Sequence, residues 1–236
     1  MINTELLIKG AEELGLKMSE RQTDSFVRLA EELIGANKKF NLTAITDEYR
    51  IVTEHFLDSL TVLKAGCGKK ILDVGTGGGF PGLPAAIMCP DTECVLMDST
   101  AKKLKYIDET AELLGLKNVS TVTARAEEAA HRIDMREQFD IVYARAVSDM
   151  RILCELCLPF VKKNGIFAAQ KSAGSEKEIM LSAKKIALLG GRIKEIIAFN
   201  IPTTDIPRSL VIIEKTKPTP ALYPREYNKI KKDASK

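Results

Sequence analysis

Between Ile71 and Gly82 the chain reads Ile-Leu-Asp-Val-Gly-Thr-Gly-Gly-Gly-Phe-Pro-Gly, and no other segment restricts the fold as tightly. Its apolar beginning has the character of a strand buried on both faces, as in parallel sheets covered by helices. Glycines at 75, 77 and 79 allow a sharp reversal and the approach of a ligand without Cβ interference. Pro84 suits the first turn of a following helix. A strand, a glycine turn and a helix in succession put the turn at the carboxyl edge of an open α/β sheet, where ligands bind.

The rest of the chain supplies the sheet that such a turn requires. β-prone runs occur at Ile71–Val74, Glu93–Met97, Val119–Thr123, Phe139–Tyr143, Gly165–Ala169, Arg192–Phe199 and Leu210–Glu214. The first five are each followed by a helical pattern or a Gly/Pro-marked turn, for example 101–114 with Gly115 as its stop. Only a proline-containing loop, 200–208, separates the last two, which predicts an antiparallel pair. The expected fold class is α/β: a doubly wound, mainly parallel, seven-stranded Rossmann-like sheet ending in an antiparallel hairpin.

Ahead of the sheet, Ser19 and Gln22 form a capping-box pair. Phe26, Leu29, Ala30, Leu33 and Ile34 then repeat at helical spacing, and Val52, His55, Phe56, Ser59, Leu60 and Leu63 make a second stripe capped by Thr46 or Asp47. These helices are too few for a separate core. They predict an N-terminal extension, 1–63, packed on a core of 64–216, with a basic tail at 217–236.

Composition excludes several classes. Hydrophobic residues make up 45% and charged residues 28%, the balance of a globular domain with a core. The longest uncharged stretch, 74–90, holds five glycines and three prolines, so no bilayer-spanning helix is expected. Frequent charges in the first thirty residues predict no secretory signal. Net charge is only +3, but residues 215–236 carry seven basic groups against two acidic ones. A phosphate contact and a solvated terminus both accord with that excess. Five cysteines, an odd number in a chain too long to need staples, suggest a reducing compartment and a cytoplasmic protein. Cys154 and Cys157 read as small buried hydrophobes, and without a second ligand pair no metal is expected.

Two carboxylates bear on the ligand. Asp73 precedes the first glycine at the strand end, where it would repel a pyrophosphate but suit an ammonium and a sulfonium; S-adenosylmethionine carries both. Asp98 ends the next strand, 25 residues on, where a carboxylate can accept both ribose hydroxyls of either cofactor class. The local alternatives are a loop cap for Asp73 and a helix N-cap for Asp98. Gly77, Gly79 and Gly82 also fit G-x-G-x-x-G, a weak match on its own that leaves an NAD-binding oxidoreductase open.

These residues carry a family resemblance. The chain resembles the RsmG (GidB) family of bacterial 16S ribosomal RNA methyltransferases through Asn41–Ile45, His55–Leu60, Leu72–Leu83, Asp98-Ser99, Lys102-Lys103, Arg125–Glu127, Arg145–Val147, Lys171, Arg208 and Tyr223–Arg225. The resemblance implies a methyltransferase sheet binding S-adenosyl-L-methionine at Gly75, Phe80, Ala126, Glu127 and Arg145. It also implies methylation of N7 of guanosine 527 in 16S rRNA, with the rRNA or the small ribosomal subunit as partner. After Tyr223-Pro-Arg225 the family continues with a glycine- and proline-containing segment, whereas this chain runs Glu226-Tyr-Asn-Lys-Ile-Lys-Lys232.

Guanine N7 has an in-plane lone pair and no proton, so its methylation needs positioning and no general base. A chain with only two histidines and no visible nucleophile–base pair agrees with this. Under the resemblance Asp73 holds the methionine part, Asp98 the ribose and Ala126-Glu127 the adenine, while Arg145 stands where methyl group and substrate meet. Lys171 and Arg208 are candidates for phosphate contact. His55 is either a hydrogen-bonded core histidine or an RNA contact, and Phe80 either covers the cofactor or stacks on a base. A methyltransferase for a small molecule or protein would share the cofactor site and differ in acceptor. No feature of the sequence indicates an oligomer.

Overall fold

Successive residues of a strand point to opposite faces, and here each face has its own apolar cluster. Ile71, Cys94, Leu96, Ile141, Tyr143, Leu210 and Ile212 enter one; Leu72, Val95, Met97, Val142, Ala144, Val211 and Ile213 enter the other. The central runs, such as Cys94–Met97 and Ile141–Ala144, are therefore apolar at successive positions, because helices cover both sides of the sheet there.

The structure is a computed structural model that describes residues 2–40, 42–145 and 148–234. Asn41, Ala146 and Val147 of the resemblance motifs, and Ser235 and Lys236 of the tail, lie outside the described residues. Two helices begin the chain, α1 (Thr4–Glu13) and α2 (Glu20–Phe40). A continuous helical run follows: α3 (Glu48–Arg50), a π-helical stretch (Ile51–Leu57), α4 (Asp58–Leu60) and a 3-10 turn (Thr61–Ala65). The sheet and its crossovers are β1 (Lys70–Val74), α5 (Gly82–Met88), β2 (Glu93–Asp98), α6 (Ala101–Leu113), β3 (Val119–Thr123), α7 (Ala126–Ala129), β4 (Phe139–Arg145), α8 (Met150–Cys157) and β5 (Val161–Ser172). The chain closes with α9 (Glu176–Leu188), β6 (Gly191–Asn200), β7 (Pro207–Lys215) and α10 (Tyr227–Ala234).

Strand order is β3-β2-β1-β4-β5-β7-β6. β1 to β5 pair in parallel; β7 lies antiparallel between β5 and β6. The expected hairpin is thus present, with its second strand inserted into the sheet. Order reverses between β1 and β4, the crevice where open α/β sheets bind ligands.

Local signals set the helix boundaries. Ser19 and Gln22 exchange backbone and side-chain hydrogen bonds at the start of α2 (2.9 and 3.3 Å), and Asp47 accepts from the Arg50 amide (2.9 Å) to begin the next run. Leu7, Phe26, Leu29, Leu33, Val52 and Phe56 share the first apolar cluster with α5, α6 and one sheet face, so the N-terminal helices complete the core on that side.

Two expectations change. Cys67 and Cys89 form a disulfide, their Cα atoms 6.1 Å apart and so within bridging range, where the odd count suggested a reducing compartment. The described part of the tail, 217–234, is packed on the core: Arg225 grips the fully buried Glu155 through its Nε (2.8 Å) and Nη2 (2.9 Å), and Ile230 of α10 is buried. Cys154 and Cys157 are buried, free thiols, as expected.

Candidate functional site

The carboxyl edge of the sheet bears three adjoining cavities. The first, of about 260 Å³, is lined by Gly75, Asp98, Ser99, Ala124, Arg125, Ala126, Glu127, Leu153, Leu156 and Tyr227, among others. A second, of about 190 Å³, is bounded by Gly75 to Gly78, Thr43, His55, Phe80 and Arg145. The third, of about 460 Å³, has Glu54, His55, Asp58, Arg145, Gln170, Lys171 and Arg208 in its wall. Gly75 belongs to the first two, and His55 with Arg145 to the last two. The three therefore form one trench over the ends of β1, β2, β4 and β5.

Gly75 is where the missing side chain matters to a ligand. Its φ is +73°, and a Cβ there would point into open space. Gly79 serves the interior: a Cβ would stand 2.5 Å from Leu83 Cδ1, so the residue is glycine to let α5 pack on the loop. Gly77 donates its amide to Asp98 Oδ2 (3.1 Å), and the Thr100 amide donates to Oδ1 (2.8 Å). Asp98 thus shapes the loop and also presents its remaining lone pairs to the first cavity. Ala126 and Glu127, at the start of α7, face the same space.

Asp73 is placed differently from the expectation. It is 1% exposed and lines none of the three cavities. Its Oδ2 accepts from Thr76 Oγ1 (2.6 Å) and from the Gly82 amide (2.8 Å), which pins the glycine turn to the first residue of α5. Burial raises its pKa to about 6. The carboxylate therefore clamps the loop from beneath through Oδ2, while its Oδ1 is buried without a hydrogen-bond partner. The clamp still bears on ligand choice, because the helix-start amide that would cradle a pyrophosphate is already engaged.

Between the second and third cavities, four groups form a cluster. Arg145, at the end of β4, donates Nη1 to the Glu54 carbonyl (3.1 Å) and to Asp58 Oδ2 (3.3 Å), and its guanidinium carbon lies 5.4 Å from the Phe80 ring centre. Burial lowers the Arg145 pKa, while the nearby Asp58 raises it. The His55 ring stacks on Phe80 (centroids 4.6 Å, 18°) and its Nε2 pairs with Thr43 Oγ1 (2.8 Å). Burial, and then the charge of Arg145, bring the His55 pKa down to about 3, so the ring is neutral at physiological pH. Phe80, 4% exposed, is committed to these partners and does not stand at the mouth for a base to stack on.

Asp58, which sequence reading placed in a motif without a role, is the hub. Its Oδ1 accepts from Arg208 Nε (3.2 Å) and from Gln170 Nε2 (2.7 Å), and its Oδ2 from Arg145. The π-helical stretch brings Glu54, His55 and Asp58 to one cluster; π turns recur at functional sites. Helical spacing in the sequence marked the stripe but carried no sign of the extra residue per turn. Lys171 corrects another expectation. It borders the third cavity but is only 6% exposed, with its ammonium held by Ser148 O (2.8 Å) and Glu178 Oε1 (2.9 Å), so its charge is largely engaged within the fold. Arg208 remains at the wall of the third cavity.

Among the described residues no group of three or more His, Cys, Asp or Glu is arranged to hold a metal ion, and no helix is long and apolar enough to cross a membrane.

A family model described as rRNA small subunit methyltransferase G matches residues 22–206. The ribosomal RNA small subunit methyltransferase G of Acetivibrio thermocellus is 43% identical over 230 residues, covering 97% of this chain and 95% of the relative. That of Clostridium perfringens (strain 13) is 42% identical over 231 residues, 97% of each. Two solved structures share the fold at low identity. A SAM-dependent methyltransferase from Aquifex aeolicus has TM-score 0.55 and 19% identity over 78% of this chain and 98% of its own. M. jannaschii TYW2, in complex with AdoMet, has TM-score 0.54 and 14% identity over 72% and 77%.

Proposed function

This chain belongs to the rRNA small subunit methyltransferase G family, and on that premise we propose that it transfers the methyl group of S-adenosylmethionine to N7 of guanosine 527 in 16S rRNA. Bound in the trench, the cofactor supplies an electrophilic methyl group on a sulfonium. The observation that carries the reading is the trench itself: a nucleoside-sized cavity beside Asp98, a narrow passage at Gly75, and a third chamber gated by Arg145 and His55.

Each residue then has a physical task. The Asp98 oxygens accept ribose hydroxyls, and Ala126 with Glu127 bound the adenine. Gly75 lets the chain of atoms from ribose to amino acid pass close to the backbone. The buried charge of Asp73 lies under that passage and favours a cation over a diphosphate. Arg145 and Arg208, held by Asp58, turn donors toward an acceptor base or its phosphates. Neutral His55 removes no proton, and none need be removed from guanine N7. Proximity and alignment within the trench carry the rate. On this reading residues 64–216 perform the transfer in the cytoplasm, with 1–63 closing the sheet face beneath them.

The test is transfer of labelled methyl groups to 16S rRNA and to 30S subunits from an unmethylated host, with mapping by cleavage selective for N7-methylguanosine. Label at guanosine 527 is the expected result; label at another base, or none on RNA with transfer to a small molecule, overturns it.

A further inference from the structure

The family-divergent segment after Arg225 is not spare surface. Tyr227, the first residue of α10, lines the first cavity together with Asp98, Glu127 and Leu156. It also lines a neighbouring cleft with Arg125, His131 and Asn228, so this half-buried residue stands at the boundary of the two. Ala124, Ala126, Leu153 and Leu156 give the cavity an apolar lining beside the polar Asp98, Ser99, Arg125 and Glu127. A slot of that make-up, with a carboxylate at one end for ribose, suits the flat face of a purine.

The position of Tyr227 is fixed from the residues around it. Arg225 donates its amide (3.0 Å) and Nε (2.8 Å) to Glu155 Oε1 and its Nη2 to Oε2 (2.9 Å). Glu155 belongs to α8, the helix that also contributes Leu153 and Leu156 to the cavity. Ile230 is buried one turn further on, and Arg151 of α8 reaches the Ala234 carbonyl at the far end of α10. One helix thus supplies part of the cavity wall and holds the segment that supplies the rest.

We propose that Tyr227 is the aromatic wall of the adenosine end of the cofactor cleft, stacking on the adenine, so that the terminal segment 223–234 is part of the binding site. The proposal rests on S-adenosylmethionine being the cofactor. It concerns a residue that stands where the family pattern has been replaced, in the run Glu226-Tyr-Asn-Lys.

The sequence has no tryptophan and five tyrosines, so tyrosine emission is directly observable. S-adenosylhomocysteine is titrated into the full chain, with binding followed by calorimetry and emission together. Wild type is expected to bind with quenching of tyrosine emission. Tyr227→Phe should bind within about twofold of wild type but lose most of the quench, because the ring is kept and the reporter removed. Tyr227→Ala should raise Kd, and KM for the methyl donor, about tenfold, with a smaller change in kcat. Full quenching in Tyr227→Phe, or an unchanged Kd in Tyr227→Ala, overturns the wall while leaving the cofactor reading intact. A wild type that binds no S-adenosylhomocysteine overturns both.

Discussion

Gly75 and Gly79 have positive φ within one turn and separate packing from binding. Gly75→Ala adds a methyl group in open space at the junction of two cavities, so S-adenosylhomocysteine affinity should fall by more than about tenfold for a stability loss of only about 1 kcal/mol. Gly79→Ala puts its methyl group against Leu83 and should destabilise by about 2–3 kcal/mol, which urea unfolding would resolve. Asp73→Ala leaves the Gly82 amide and Thr76 hydroxyl buried without their acceptor, so it too should lose about 2–3 kcal/mol as well as cofactor affinity. Asp98→Ala should lose mainly affinity, since Asp98 borders the cavity. His55 gives a pH test. Unfolded, it takes up a proton near pH 6.5; folded, not until about pH 3. Its contribution to stability is complete above 6.5 and is lost as pH falls toward 3. Asp73 acts oppositely, its contribution fading as pH rises through about 6. The stability of wild type relative to His55→Gln should therefore shrink steadily from pH 7 to pH 4. Methyl transfer should show no histidine limb between pH 6 and 8. The residue types at the loop were legible in the sequence; the side on which Asp73's carboxylate lies was not, because a carboxylate that clamps a turn and one that faces a ligand occupy the same position in the string.

At the scale of elements, the helical run 48–65 supplies the acidic side of the cluster. The Glu54 carbonyl, within its π-helical stretch, accepts from Arg145, and Asp58, just after that stretch, lies between Arg145 and Arg208. Arg145→Lys preserves charge but loses the planar guanidinium, whose Nη1 meets the Glu54 carbonyl and Asp58 while its Nη2 lies 3.4 Å from His55 Nδ1 and its carbon 5.4 Å from the Phe80 ring centre. Methyl transfer should fall about a hundredfold or more while the melting temperature moves by only a few degrees; transfer at the wild-type rate would remove Arg145 from the site. All seven strands were readable as elements, since two-sided burial leaves apolar runs such as Ile141 to Ala144, but their ends were not: β5 and β7 extend several residues beyond the expected 165–169 and 210–214 into polar sequence. Nor were the π turn and the insertion of β7 between β5 and β6. The first depends on partners more than 80 residues away, the second on pairing that no local period encodes.

Across the whole molecule, the C-terminal segment is tied to the core by a buried charge. Glu155 is fully buried and is met by Arg225 and by Lys185 (2.8 Å). Arg225→Ala removes its bidentate partner and should cost about 3 kcal/mol of stability, seen as a lower urea midpoint. It should also weaken S-adenosylhomocysteine binding, because α10 loses its hold beside the first cavity. The basic count of 215–236 gave no hint of this, since the deciding residue is an acid in α8. One more outcome follows from the place of β7. The strand that fills the gap between β5 and β6 is the last to be synthesised, and the segment that walls the adenosine end comes later still. When β1 through β5 and Arg145 have been made, β7, Arg208 and α10 are still to come, and the sheet lacks the strand that joins β5 to β6. On the proposed reading a fragment that stops before Pro207 should not retain S-adenosylhomocysteine, however well its glycine loop is formed.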